Sequence, residues 1–201
     1  MIDRRRFFDE IRDNPFPDRL SVRQVEGTVQ VIDEFESRAA GGDLRYLAYM
    51  LATAFHETAQ TMQPVRETLA ASDDAAIRIL DRAFAAGRLG QVKTPYWRRD
   101  ADGKTWLGRG LVQLTHRRNY EAMSEAIGID LVAQPERAME PQVSAAILIE
   151  GMLRGSFTGR RLAQYFDARR ADWAGARAII NGKDRAELLA GYGRAFYAAL
   201  R

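Results

Sequence analysis

Val22, Val25, Val29, Ile32 and Phe35 recur at intervals of three and four residues, which lines one face of an α-helix and predicts a helix over 22–37. Ser21, followed three residues later by Gln24, supplies a capping-box start, and the Ala-Ala-Gly-Gly run at 39–42 breaks the pattern. Asp43 is placed to cap a second helix, in which eight of the ten residues from Leu47 to His56 are apolar. A helix apolar nearly all round belongs in the interior. Ser72 begins a third pattern, with Ile77, Leu80 and Phe84 on one stripe and Gly87 as its stop. A short helical turn is expected at 5–11, and further helices near 116–127, 141–153 and 184–199, with Pro141 at a start and Gly128 and Gly155 at ends. The segment YWRRDADGKTW differs: aromatic residues flank an Asp102-Gly103 turn signal, which predicts a small hairpin. The class is mainly α. No internal repeat, low-complexity tract or linker interrupts the chain, so residues 1–201 read as one catalytic-sized domain.

Composition narrows the chemistry. A chain of 201 residues buries roughly 70% of its unfolded surface, enough for a sizeable core. No segment reaches the ~18 apolar residues of a membrane span, and the charged start MIDRRRFFDEIRDN offers no signal-peptide run, so stable membrane insertion and Sec export are not expected. The absence of cysteine removes disulfides, a thiol nucleophile and thiolate metal sites together. A net charge of +3 suits an anionic polymer or plain solubility equally. The RRR and THRRNY stretches raise a nucleic-acid reading, but this small charge without a one-sided basic helix argues against it.

The HETAQ stretch lacks the second histidine of a zinc-protease helix, since Gln60 stands there, and the only histidines are His56 and His116. No G-x-S-x-G elbow supports a serine hydrolase, and the GRG at 108–110 is too short for a phosphate loop. Glu57 is a better lead. A carboxyl at the end of an apolar helix is partly desolvated, which favours the protonated form of a general acid, although a helix-end glutamate paired with an arginine has the same spacing. Glu67 follows Pro64, which stops the helix from continuing and lets the chain turn around a cleft. Inverting glycosidases place two such carboxyls roughly 6.5–9.5 Å apart, with water between them.

The stretch WLGRGLVQLTHRRNY, with AFHET, PVRE and IING in order around it, resembles the signature of family 19 glycoside hydrolases, the chitinase-like and phage endolysin group. LSVRQVEGTVQVIDEFE also looks like the opening helix of phage members. The resemblance implies a lysozyme-like, two-lobed α-rich fold around a glycan cleft, and hydrolysis with inversion, without metal or cofactor. It implies Glu57 as general acid, Glu67 as general base, and Thr115 as the hydroxyl that holds the attacking water. Gln113, Asn119 and Asn181 match sugar-contacting positions. Thr115 could equally cap the next helix, and Asn181-Gly182 could simply end one. Arg109 is placed either to pair with a buried carboxylate or to lie in solvent. Tyr96, Trp97, Trp106 and Tyr120 are candidates to stack on sugars, with Tyr96 and Trp106 preferred, or to fill the core.

The plant enzymes' large loop and disulfides are missing, the Glu57–Glu67 connection is the short one of phage-like members, and the arginine expected before Phe196-Tyr197 is displaced, so Arg194 receives no role. The resulting expectation is an endolysin that cleaves β-1,4 bonds of peptidoglycan, made in the cytoplasm as a monomer and acting on the wall after release through the membrane. Arg66, Arg98, Arg99 and Arg117 would attract the anionic polymer. A chitinase or chitooligosaccharidase, and a non-catalytic glycan-binding phage protein, are the alternatives.

Overall fold

The computed structural model describes residues 2–17, 19–90 and 92–201. Among these, seven α-helices carry the fold: α1 (Arg4–Ile11), α2 (Val22–Arg38), α3 (Leu44–Glu57), α4 (Asp73–Ala85), α5 (Arg117–Ile127), α6 (Pro141–Arg154) and α7 (Ala186–Leu200). Each lies where the apolar periodicity puts one. The Ser21 hydroxyl accepts from the Gln24 N–H at 3.2 Å while the Ser21 N–H donates to Gln24 Oε1 at 2.9 Å, completing the capping box of α2. Asp43 caps α3 and Ser72 caps α4 through the same kind of bond. Gly128 and Gly155 end α5 and α6 in the left-handed conformation, with φ of 72° and 81°. None of the helices is long and apolar enough to cross a membrane.

Two apolar clusters divide the molecule. The larger is built on α3, whose residues Leu47 to Phe55 are all buried, with α6 and α7 packed around it. The close approach of α7 needs Gly193, where a Cβ would lie 2.8 Å from Trp173 and 3.3 Å from Tyr49. The smaller cluster joins Ala76 and Leu80 of α4 to Trp97 and Leu107. This pair of cores is the two-lobed, lysozyme-like α-rich arrangement expected.

The strands lie elsewhere than the Asp102-Gly103 signal suggests. β1 (Val65–Arg66) pairs antiparallel with β2 (Arg109–Gly110), Val65 opposite Gly110 and Arg66 opposite Arg109. The turn at 100–104 does form: the Asp100 N–H donates to the Lys104 carbonyl at 2.8 Å. Asp100 Oδ1 also accepts the N–H groups of Asp102 and Lys104, each at 3.0 Å, so a carboxylate closes the turn in place of a strand ladder. Trp97 and Trp106, flanking it, are drawn into the interior.

Candidate active site

Glu57 is the last residue of α3, so the buried helix delivers its carboxyl to the edge of the larger core. Its Oε1 accepts from Arg177 Nη1 at 2.6 Å, and the Arg177 side chain is only 2% exposed against 19% for Glu57. Arg177 Nε donates to the Asp184 carbonyl at 3.0 Å, which fixes the guanidinium from behind. The carboxyl is mostly buried and it is paired with an arginine. Arg177 itself carries no motif signal. What marks it is an arginine inside the apolar run Ala176 to Ile180, which a fully solvated side chain would not occupy.

Glu67 follows β1 directly, and both its oxygens accept hydrogen bonds. The Tyr96 hydroxyl donates to Oε1 at 2.6 Å and the Gly108 N–H to Oε2 at 2.8 Å. Its own N–H donates to the Gly108 carbonyl at 2.7 Å. Gly108 is the point on which the site converges: a Cβ there would lie 2.6 Å from Gln113 Oε1, 3.3 Å from the Glu67 Cβ and 3.3 Å from Thr115 Cγ2. Burial, and then the hydrogen bond to Glu67, push the Tyr96 phenol well above its ordinary value, so it stays a donor.

A tight turn from Arg109 to Leu114, closed by bonds of 3.2 and 2.9 Å, presents Gln113, whose Nε2 donates to the Val65 carbonyl at 3.1 Å. Thr115 follows. It is not the cap of α5, because His116 occupies that position without a side-chain bond. The Thr115 carbonyl accepts from Asn119 Nδ2 at 2.7 Å. Thr115 and Asn119 line a cavity of about 110 Å³ with Gln113, Phe157 and Ile180. Asn181 comes next to Ile180 and is exposed. Arg109 is 1% exposed and bonds Asp73 at 2.6 Å and the Tyr120 hydroxyl at 2.8 Å, joining α4 to α5 behind the site. Burial tends to raise the Asp73 carboxyl, but hydrogen bonds from Arg109 and Arg66 outweigh it and hold it below its ordinary value.

Residues 28–149, more than half of the chain, match the family model described as chitinase class I. The chain belongs to glycoside hydrolase family 19. Solved structures with the same fold include chitinase C from Streptomyces griseus, at a TM-score of 0.57 and 19% identity, covering 99% of this chain and 76% of that one. The class IV chitinase from Zea mays gives 0.54 and 19%, covering 97% and 90%. A bacterial family 19 chitinase gives 0.53 and 19%, covering 99% and 94%.

This family 19 hydrolase is therefore a glycan-hydrolysing, chitinase-like enzyme. The matched span contains Glu57, Glu67, Gln113, Thr115 and Asn119, whereas Arg177 and Asn181 lie beyond it. Two aromatic expectations change. Tyr96 reaches Glu67 with its hydroxyl and lies against His116, ring centroids 4.3 Å apart, so it holds a carboxylate besides bordering the site. Trp106 is a core residue and not a cleft wall: it is 6% exposed, its indole N–H donates to Asp100, and Tyr120 and the Arg117 guanidinium cover its ring. Strain gathers here too. Among the described residues, eight non-glycines have positive φ; Ala59, Gln60 and Met62 follow Glu57, Thr68 and Leu69 follow Glu67, and Gln113 and His116 flank Thr115. Arg185 borders the Asp184 carbonyl that holds Arg177. Such backbone costs roughly 1–3 kcal/mol per residue and persists where the surroundings over-determine it.

Proposed function

We propose that the enzyme hydrolyses β-1,4 bonds of the peptidoglycan backbone with inversion, Glu57 acting as general acid and Glu67 as general base. The observation that carries the assignment is the unequal bonding of the two carboxyls. Glu67 accepts a hydrogen bond on each oxygen, which suits an ionised group whose remaining lone pairs take a proton from water. Glu57 is bonded by Arg177 through Oε1, and Oε2 has no protein partner among the described residues, which leaves that oxygen open to the departing glycosidic oxygen. Thr115 holds the attacking water through a hydroxyl that both donates and accepts, and Gln113, Asn119 and Asn181 contact the sugars. The residues 1–201 act as one catalytic domain.

Peptidoglycan is preferred to chitin on the resemblance to phage members and on the short connection between the carboxyls. That connection is pinned to α2: Gln24 Nε2 donates to the Gln60 carbonyl at 3.0 Å and Gln63 Nε2 to the Arg23 carbonyl at 2.6 Å. A short, tethered connection suits a glycan that carries bulky peptides. The enzyme reaches the wall after release from the cytoplasm. The second reading, a chitinase, is favoured by the names of the structural relatives. Digestion of purified peptidoglycan and of chitotetraose at matched sugar concentration tests both, with fragment masses, reducing-end identity and the first-formed anomer read by proton NMR. Peptidoglycan fragments released first as the α-anomer are expected; an initial β-anomer sinks the inverting mechanism, and faster cleavage of chitotetraose moves the assignment to chitinase.

A further inference from the structure

The four arginines that the sequence offers for attracting an anionic glycan are already engaged by carboxylates within the chain, although Arg66 shares its partner with Arg109. Arg66 pairs with Asp73 at 2.7 Å, Arg98 with Asp81 at 2.8 Å, Arg99 with Asp74 at 2.7 Å and Arg117 with Glu121 at 3.0 Å. A cation balanced by its own carboxylate adds little to the field felt by a second anion. Around Tyr96 and His116 lie two further cations, Lys93 and Arg118, both exposed and, among the described residues, without a carboxylate partner.

Lys93 lines an open hollow of about 520 Å³ together with Val92, Thr94, Tyr96 and His116. One wall of the hollow is the Tyr96 ring, whose hydroxyl donates to Glu67 at 2.6 Å. The hollow therefore lies one side chain away from the carboxylate assigned to activate water. Arg118 comes two residues after His116 at the start of α5. Burial, and then the Arg118 charge, hold the His116 imidazole below its ordinary value, so this wall presents a neutral ring at pH 7. The lining thus combines an apolar floor, a hydroxyl and unbalanced positive charge.

We infer that this hollow is a substituent subsite, in which Lys93, supported by Arg118, binds a carboxylate carried by the sugar that docks beside Glu67. The inference rests on the peptidoglycan reading above. A muramic residue carries such a group as the free acid of its lactyl ether or on the peptide amide-linked to it. A chitin unit has only hydroxyl and acetamido groups, which leave both cations unbalanced. Lys93 and Arg118 are on this view what makes the enzyme prefer the substituted glycan.

The experiment compares kcat/KM of wild type, Lys93→Gln, Arg118→Gln and Lys93→Arg on three forms of one glycan. These are intact peptidoglycan, peptidoglycan stripped of its peptides by an amidase, and the intact form with its carboxylates amidated by carbodiimide and ammonia. On the carboxylated forms Lys93→Gln is expected to lose about tenfold relative to its effect on the amidated form, mainly through KM, on the scale of one charge-assisted contact. Arg118→Gln should lose less, and Lys93→Arg should regain most of the loss. A loss confined to the intact form identifies a peptide carboxylate; one confined to the stripped form identifies the lactyl acid. Equal effects of Lys93→Gln on carboxylated and amidated glycan would overturn the subsite. Wild-type enzyme that cuts chitotetraose but no form of peptidoglycan defeats the peptidoglycan reading itself, before any variant is compared.

Discussion

Glu57 and Glu67 are held by different tethers, and each tether can be cut without touching the carboxyl. Tyr96→Phe keeps the ring against His116 and removes the donor to Glu67. Turnover should fall about tenfold or more while the melting temperature barely moves, since the lost bond serves to orient and a ring of the same size still packs. Unchanged turnover would return Tyr96 to a wall residue. Arg177→Met leaves the Glu57 carboxyl without its cation and should cost both stability, on the order of 3 kcal/mol by urea titration, and activity. Replacing the carboxyls directly is a harsher test: Glu57→Gln should lower turnover about 10²–10⁴-fold with the fold intact, and added azide should restore part of the activity of Glu67→Gln but not of Glu57→Gln. A Glu57→Gln variant keeping more than a tenth of wild-type rate, read with ~10²-fold as the least expected loss, would remove Glu57 as the acid. Sequence singled out the two carboxyls as candidates because short motifs surround them. It was silent on Arg177 and on the hydroxyl bond of Tyr96, because these partners come from 120 and 29 residues away, and only the folded chain brings them together.

At the scale of elements, the helices were legible because each carries its own start, stripe and stop. The strand pairing was not, because β1 and β2 are two residues each and are set by what Glu67, Gly108 and Gln113 require and not by alternation. Two helical glycines give opposite expectations from the same substitution. In α2, a Cβ at Gly27 would sit 1.9 Å from the Met62 carbonyl, so Gly27→Ala should push the 58–65 connection off the helix and destabilise by about 1–3 kcal/mol. In α7, Gly191 has nothing within 4 Å, so Gly191→Ala should stabilise by about 0.5–1 kcal/mol through helix propensity and a less flexible unfolded chain. Urea midpoints moving in the same direction for both variants would contradict this account of how α2 holds the connection.

Over the whole molecule, acid sensitivity follows from the two histidines. Burial holds both His56 and His116 below their ordinary values. A folded pKa below the unfolded one means that the unfolded chain binds more protons as pH falls through about 6.5, so stability should decline from there until the folded values are passed. Unfolding midpoints measured between pH 7.5 and 5 check the sign; a midpoint that rises on acidification contradicts it. The unequal size of the two cores has a further consequence. The smaller one rests on Ala76, Leu80, Trp97 and Leu107, and Tyr96 packs against it. So slight a cluster should open on its own at a free-energy cost well below that of global unfolding. Amide hydrogen exchange in α4 and around Trp97 should then run ahead of exchange in α3. Catalysis should fade on warming while far-ultraviolet dichroism still reports every large helix, because an opened small core releases Tyr96 and with it the orientation of Glu67. The enzyme would have a working temperature set by four side chains and a melting temperature set by the other core.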